Sequence, residues 1–208
     1  MIINVLGDSI TEGAAASSVE NTFVSLLGKE LNATVHNYGI SGSRIAKQHV
    51  PSECPRFDLF FGSRVKDLDP KADFTIVFGG TNDYGHGDAP IGNKDDKAPD
   101  TFYGGMNYLI SELLKKFDKN QLVFVLPLYR KNEENPYGEG LKSIPCLTLQ
   151  GYRDIMTEVL NSNNLEVLDL KDEFGKPEES DLYQDGLHPN DKGHLKLANL
   201  IVDYIKAK

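Results

Sequence analysis

Three residues in this chain have the chemistry for acyl transfer through a serine. Ser9 stands directly after a short apolar run, in the turn Gly-Asp-Ser-Ile-Thr-Glu-Gly. A serine hydroxyl is a weak nucleophile at neutral pH, so it needs a histidine to take its proton and an acceptor that fixes the histidine tautomer. Asp185 and His188 lie three positions apart in a turn that leads into a helical pattern, a spacing that lets the carboxylate accept from one ring nitrogen. We therefore expect Ser9, His188 and Asp185 to act together.

Two glycine-containing turns could stabilise the oxyanion that forms when a serine attacks a carbonyl. Gly42 follows the second predicted strand, and a glycine lets its backbone N–H come close to a ligand. Asn82 follows the paired glycines after the third predicted strand and brings an amide NH₂ group. With the N–H of Ser9, these donors would complete an oxyanion hole, in which losing one donor typically costs about 10²–10³ in turnover.

Short β-branched runs alternate with amphipathic segments along the whole chain. This alternation predicts one α/β domain over residues 1–208, built as a three-layer α/β/α sandwich with a central, mostly parallel five-stranded sheet in flavodoxin-like order. The predicted strands cover residues 2–6, 34–38, 74–78, 122–126 and 166–170. The predicted helices cover residues 22–31, 59–68, 102–117, 149–161 and 192–206.

Three long connections, 81–100, 129–145 and 171–189, follow predicted strands. In a parallel sheet such connections leave from one edge, so we expect them to gather around a single crevice with the turns that hold Ser9 and Gly42. His86 is expected to contact substrate there. The polar segment that opens with Tyr129 and Arg130 is either a solvated lid or a pocket wall that contacts substrate.

Charge and apolar patterning narrow the range of partners. The 208 residues include 22 basic and 31 acidic side chains, a formal net charge of −9, which disfavours nucleic acid and anionic membrane as partners. No apolar run approaches the ~20 residues of a membrane-spanning helix. No secretory leader precedes the first predicted strand, so we expect a cytoplasmic protein. Cys54 and Cys146 are expected to be free thiols.

The four motifs described above resemble the conserved blocks of the GDSL, or SGNH, hydrolase family. They are Gly7-Asp8-Ser9, the Gly42 turn, Gly80-Thr81-Asn82-Asp83 and Asp185 to His188, in the family's order over nearly the whole chain. The resemblance implies Ser9 as nucleophile, His188 as general base and Asp185 as its orienting acid. It also implies an oxyanion hole made by the Ser9 N–H, the Gly42 N–H and the Asn82 side chain. Ile10 stands where the family usually has leucine.

The expected reaction is hydrolysis of a small-molecule ester through an acyl-enzyme, which needs no metal ion and no cofactor. No strongly apolar insertion offers a cleft for a long acyl chain, so a short acyl group such as acetate, carried on a sugar or other small polar alcohol, is the expected substrate.

Two other functions remain open from the sequence. One is a metal-dependent phosphoesterase, with metal ligands drawn from a cluster of carboxylates and imidazoles. The residues of that cluster are Asp8, Asp83, His86, Asp185 and His188. The other is a flavodoxin-like module that binds a carbohydrate or small anion without catalysis. For Asp8 and Asp83 we favour a turn-fixing role over a catalytic one.

Overall fold

Five parallel strands form the centre of the computed structural model, which describes residues 1–208. The strands are β1 (Ile2–Gly7), β2 (Thr34–Gly39), β3 (Phe74–Phe78), β4 (Leu122–Val125) and β5 (Glu166–Leu168). Their spatial order is β2-β1-β3-β4-β5, and every neighbouring pair is parallel. This is the flavodoxin-like order, so the predicted fold class is confirmed.

Eight α-helices and four 3₁₀ turns connect the strands. The helices are α1 (Ser9–Glu12), α2 (Phe23–Leu31), α3 (Phe61–Arg64), α4 (Thr81–Gly85), α5 (Phe102–Leu114), α6 (Leu149–Ser162), α7 (Lys171–Phe174) and α8 (Asp191–Lys206). The 3₁₀ turns are Val19–Asn21, Pro55–Asp58, Val65–Asp67 and Lys119–Gln121. None of the helices combines the length and the apolar character of a bilayer-spanning segment.

Alternating strand side chains divide the core into two layers. In β3, Val77 belongs to the layer that contains Met106 of α5, whereas Ile76 belongs to the layer that contains Leu27 of α2 and Ile201 of α8. Successive residues of a strand point to opposite faces, so a sheet covered on both faces requires apolar residues at consecutive positions. Strand β2 lies at the sheet edge, which explains why its sequence is the most polar of the five.

Polar caps fix where the long helices begin. Thr22, Thr101 and Thr148 each accept a hydrogen bond from a backbone N–H in the first turn of α2, α5 and α6. Asn190 does the same for α8, accepting from the Gly193 N–H at 3.1 Å. Asparagine is among the residue types that cap a helix best.

The predicted helix over residues 59–68 is wrong in length, since only Phe61–Arg64 is α-helical and a 3₁₀ turn follows. The buried Arg64 side chain turns into the sheet, where its guanidinium donates to the carbonyls of Gly7 and Tyr38. These bonds tie the end of α3 to the ends of β1 and β2. Conversely, the segments 81–100 and 171–189, predicted as loops, each begin with a short helix, α4 and α7.

Candidate active site

Ser9 begins helix α1 at the point where β1 ends. The Asp8 carboxylate caps this helix by accepting the Ile10 N–H at 3.0 Å. Gly13 ends the helix in the left-handed region, at φ 109°. The strand, the cap and the terminal glycine hold the nearly buried Ser9, which is 7% exposed, at the carboxyl edge of the sheet.

The loop that precedes α8 brings His188 to this serine. Ser9 Oγ lies 2.9 Å from His188 Nε2, and His188 Nδ1 lies 2.7 Å from Asp185 Oδ2. An ionised carboxylate can only accept, so Nδ1 carries the proton and Nε2 is free to accept the Ser9 hydroxyl proton. The structure thus brings together the three residues that the sequence singled out for acyl transfer.

Backbone hydrogen bonds hold the Asp185 carboxylate in its ionised form. Its Oδ1 accepts the N–H groups of Leu187 at 3.0 Å and of His188 at 2.8 Å. Partial burial favours a higher pKa for Asp185, but the hydrogen bonds from His188 and Leu187 outweigh it and lower the pKa below its ordinary value. The carboxylate therefore stays charged and able to stabilise a positively charged imidazole.

The Gly42 turn presents an unbonded backbone donor at the same edge. Gly42 follows β2 and adopts φ +73°, a conformation that only glycine takes readily. Its N–H has no acceptor within the protein, and a side chain at this position would meet nothing within 4 Å. The turn is fixed by Ser43, whose hydroxyl donates to the Ile40 carbonyl at 2.7 Å. A donor that is rigidly held and open to the crevice can bind an oxyanion.

Asn82 lies in the first turn of α4, and its amide joins that helix to the Gly42 turn. Asn82 Nδ2 donates to the Ser43 carbonyl at 3.1 Å, which leaves its second N–H without a partner in the protein. The neighbouring Asp83 carboxylate accepts the N–H groups of Ile45 and Ala46, both at 2.9 Å. The two predicted donors, Gly42 and Asn82, are therefore connected by direct hydrogen bonds between their segments.

Two buried carboxylates beside this edge serve as local anchors. Burial raises the pKa of Asp8 to about 6 and the pKa of Asp83 to about 6, although hydrogen bonds from backbone N–H groups oppose the shift in each case. Asp8 caps α1, and Asp83 holds the backbone after the Gly42 turn. These contacts are those of turn-fixing carboxylates.

His86 sits behind Asn82 and contacts a residue that the sequence analysis did not identify. His86 Nε2 lies 3.1 Å from Asn82 Oδ1, and His86 Nδ1 lies 2.6 Å from Nη2 of the buried Arg44. Burial and the positive charge of Arg44 lower the pKa of His86 to about 4, so the ring is neutral near pH 7. No short motif could reveal this pair, because Arg44 and His86 are 42 positions apart.

Two adjoining cavities meet at His86. The first, of about 160 Å³, opens beside the Gly42 turn. Its walls are Ser41, Gly42, Arg44, Ser52, Phe57 and His86. The second, of about 550 Å³, is lined by residues 86–91 and 141–147, which include both polar and apolar side chains. Both cavities are open to solvent, and His86 lies in the walls of both.

The structure does not bring Arg130 to Ser9 or to either cavity. Its buried guanidinium donates to the Thr81 carbonyl at 3.2 Å, pairs with Glu139 and lies over the Tyr84 ring. It thereby fastens the loop after β4 to α4 and is not available to substrate. Arg130 therefore stabilises the protein around the site, and its position does not support the expected contact with substrate.

Tyr129 is also engaged within the protein. Its hydroxyl donates to Asp172 at 2.9 Å, and the Arg153 guanidinium lies 5.2 Å from the centre of its ring. Together with Asp8 and Leu187, its side chain lines only a very small pocket behind the nucleophile.

The carboxylates and imidazoles considered as metal ligands do not converge on one point. Asp83 accepts from backbone N–H groups, and His86 contacts Arg44 and Asn82. His188 contacts Ser9 and Asp185 instead. No three His, Cys, Asp or Glu side chains are arranged to hold a metal ion. The donor set therefore does not fit the metal-dependent alternative.

Comparison with known proteins places this arrangement among related sequences and structures. Residues 5–196 match the model of the GDSL-like lipase/acylhydrolase family. No curated protein matches the sequence.

Several solved structures are similar over almost the whole chain. A protein from Lactobacillus plantarum is 25% identical, with a TM-score of 0.81 over 99% of this chain and 96% of that chain. A lipase/acylhydrolase from Enterococcus faecalis is 23% identical, with a TM-score of 0.70 over 99% of this chain and 95% of that one. A carbohydrate acetylesterase from Sinorhizobium meliloti is 16% identical, with a TM-score of 0.70 over 99% and 98% of the two chains. The last two likenesses are likenesses of fold.

Proposed function

The chain belongs to the GDSL-like lipase/acylhydrolase family, and from that premise we propose that it is a serine esterase that cleaves small acyl esters through an acyl-enzyme. The observation that carries the proposal is the hydrogen-bonded series from Ser9 Oγ through His188 to Asp185, with distances of 2.9 Å and 2.7 Å. Both distances lie within the range that nucleophile activation requires.

The proposed reaction begins when Ser9 Oγ attacks the ester carbonyl and His188 Nε2 takes the hydroxyl proton. The carbonyl oxygen becomes an oxyanion that accepts hydrogen bonds from the Ser9 N–H, the Gly42 N–H and the free N–H of Asn82. As the C–O bond to the alcohol breaks, His188 returns the proton to the leaving oxygen. Asp185 holds the imidazole ring in place and stabilises its positive charge throughout.

A water molecule then completes the cycle. His188 takes a proton from the water as it attacks the acyl carbonyl, and the second tetrahedral intermediate uses the same three donors. The intermediate collapses, the acid leaves, and Ser9 recovers its proton from His188. The net change is the addition of one water molecule to the ester.

We propose a short acyl group, such as acetate on a sugar or another small polar alcohol, as the preferred substrate. The cavity beside Gly42, about 160 Å³, is well below the ~300–1,000 Å³ of sites for drug-sized ligands. That volume supports an acetyl group rather than a long acyl chain. The larger cavity beyond His86, with Asp88, Lys142 and Ser143 among its walls, supports a polar alcohol. The fold shared with a carbohydrate acetylesterase also supports this choice.

Hydrolysis of p-nitrophenyl acetate by the wild type and by Ser9→Ala tests the proposed function. We expect the variant to lose activity by about 10⁴-fold or more. Ser162→Ala, which removes an exposed hydroxyl that bonds only to the Glu158 carbonyl, is the matched control and should keep the wild-type rate. Equal rates for Ser9→Ala and the wild type would reject the nucleophile.

Two further measurements locate the site and define its substrate. After treatment with a fluorophosphonate, mass spectrometry should find the adduct on Ser9, and an adduct elsewhere would contradict the assignment. The kcat/KM values for the p-nitrophenyl esters of acetate, butyrate and octanoate should decrease in that order. A preference for octanoate would exclude the short-acyl proposal and leave the serine mechanism intact.

A further inference from the structure

The amide of Asn82 has two orientations of almost equal shape. In one orientation its NH₂ group faces the developing oxyanion and stabilises it, whereas in the other its oxygen faces the oxyanion and repels it. The proposed reaction therefore depends on whatever selects the first orientation. The selection must come from groups that bind the amide on the side away from the substrate.

A short series of hydrogen bonds behind Asn82 has only one consistent direction. An arginine guanidinium can only donate, so the 2.6 Å contact between Arg44 Nη2 and His86 Nδ1 makes Nδ1 an acceptor. A neutral imidazole with an accepting Nδ1 carries its hydrogen on Nε2. Nε2–H then donates to Asn82 Oδ1, 3.1 Å away.

The other end of the series requires the same direction. Asn82 Nδ2 lies 3.1 Å from the Ser43 carbonyl, which can only accept. The donor-only group at Arg44 and the acceptor-only group at Ser43 thus agree on the placement of the amide oxygen and nitrogen. With the oxygen turned to His86, the remaining N–H of Asn82 has no partner within the protein and is free to donate to an oxyanion.

Arg44 is a buried cation with few partners in the protein. It is 7% exposed, no carboxylate lies within ion-pair distance, and its Nε has no hydrogen-bond partner. Isolated buried charges are costly unless they are well paired. The hydrogen bond to His86 is the one interaction that uses the donor capacity of this guanidinium within the protein.

We propose that Arg44 and His86 are positioning residues that fix the Asn82 amide with its N–H group toward the oxyanion. The proposal rests on the proposed esterase function and deepens it by assigning a role to two residues outside the nucleophile, base and acid. The neutral state of His86 is consistent with it, since a protonated ring could not accept from Arg44.

Two substitutions at His86 separate the two halves of its role. In His86→Gln, the side-chain NH₂ can reach the place of Nε2 and still donate to Asn82. In His86→Asn, the shorter side chain can present its oxygen near the place of Nδ1 and still accept from Arg44, but it no longer reaches Asn82. We expect His86→Asn to lower kcat for p-nitrophenyl acetate by about 10-fold to 10²-fold with little change in KM, because one oxyanion donor is no longer held in place. His86→Gln should recover most of that loss.

A double-mutant cycle shows whether His86 acts through Asn82. In an Asn82→Ala background, His86→Asn should cause little further loss of kcat, because the amide that it positions is absent. Arg44→Met should behave like His86→Asn in both backgrounds. Thermal unfolding of each variant separates a loss of folded protein from a loss of turnover per folded molecule.

Several results would overturn the proposal. Equal losses of kcat in His86→Gln and His86→Asn would reject the donor to Asn82, and multiplicative losses in the cycle would reject action through Asn82. Either result, obtained with a wild type whose activity depends on Ser9, leaves the proposed function standing. A wild type without Ser9-dependent hydrolysis removes the proposed function and this role together.

Discussion

His188 and Asp185 are joined twice, once through the imidazole and once through the backbone. The ring Nδ1 lies 2.7 Å from Asp185 Oδ2, and the His188 N–H donates to Asp185 Oδ1 at 2.8 Å. The same carboxylate thus shapes the turn and orients the ring. Its two functions can be separated, because an amide in its place would keep an oxygen for the backbone.

Asp185→Asn is therefore expected to preserve the fold and to reduce turnover. The amide oxygen can accept from the backbone, but the NH₂ group then faces Nδ1, which favours the tautomer with a proton on Nε2 opposite Ser9. A change of this kind costs up to about 10⁴ in kcat, and we expect about 10²–10⁴ here because half of the Asp185 side chain is exposed to water. Steady-state hydrolysis of p-nitrophenyl acetate measures it.

Asp181→Asn is the matched control. Asp181 lies in the same loop, and its exposed side chain pairs with the exposed Lys192. Its kcat should equal that of the wild type. A loss of less than tenfold in Asp185→Asn would show that Asp185 does not set the tautomer.

Gly42→Ala tests the backbone donor of the proposed oxyanion hole. Gly42 and Gly140 both have positive φ, 73° and 82°, and an added methyl group meets nothing within 4 Å at either position. Alanine in this conformation costs about 1–2 kcal/mol of stability, so both variants should lose a similar amount in urea unfolding. Only Gly42→Ala should also lower kcat, by about 10²-fold, because the strained backbone withdraws its N–H. Equal kcat values in the two variants would exclude Gly42 as a donor.

The raised pKa of Asp8 predicts how stability changes with pH. The folded protein binds the Asp8 proton more tightly than the unfolded chain does, with a pKa of about 6 against an ordinary 3.8. The resulting stabilisation is fully present below the unfolded pKa and is lost as pH rises through the folded pKa. Asp8→Asn keeps a good helix cap and has no proton to lose. From about pH 4 to 7, its free energy of unfolding should therefore rise relative to the wild type by up to about 3 kcal/mol. A difference that stays constant with pH in urea titrations would contradict this.

Arg153 is expected to be among the most costly side chains to remove. It is fully buried, donates to the carbonyls of Pro127 and Leu128 at 2.8 Å and 2.6 Å, and pairs with Glu133 at 3.1 Å. Arg153→Met leaves the Glu133 carboxylate buried without its cation, which costs about 3–5 kcal/mol in the free energy of unfolding.

The exposed pair of Lys192 and Asp181 supplies the comparison for Arg153. Lys192→Met should change the free energy of unfolding by no more than about 0.5 kcal/mol. If the two variants unfold at the same urea concentration, the Arg153 network does not stabilise the fold.

The fold was largely predictable because its signals are local. Apolar strands alternate with amphipathic helices, and a parallel sheet sends every strand-to-helix connection to one edge. This rule alone predicts that Ser9 and His188, which lie near opposite ends of the chain, meet at a common edge of the sheet. The short helix at Asn82 escaped prediction, since the glycines that border it are typical of loops.

The surroundings of the site were less predictable because they depend on long-range pairing of polar groups. Arg44 was overlooked because nothing in its neighbours shows that its guanidinium meets His86. For Arg130, which follows a strand, the sequence left open a lid or a pocket wall that contacts substrate, but its side chain turns inward to Thr81. Position at an edge can be read from the sequence, whereas the direction of a long side chain depends on partners that only the folded chain supplies.

The proposed nucleophile and its base are separated by 179 positions, and the base lies just before α8, the helix that packs on α2. During translation the serine leaves the ribosome long before the histidine is made. On the proposed mechanism, a newly synthesised polypeptide cannot cleave esters until α8 has docked and His188 has reached Ser9. In a refolding experiment, the rate at which ester cleavage returns would then report the rate at which α8 docks.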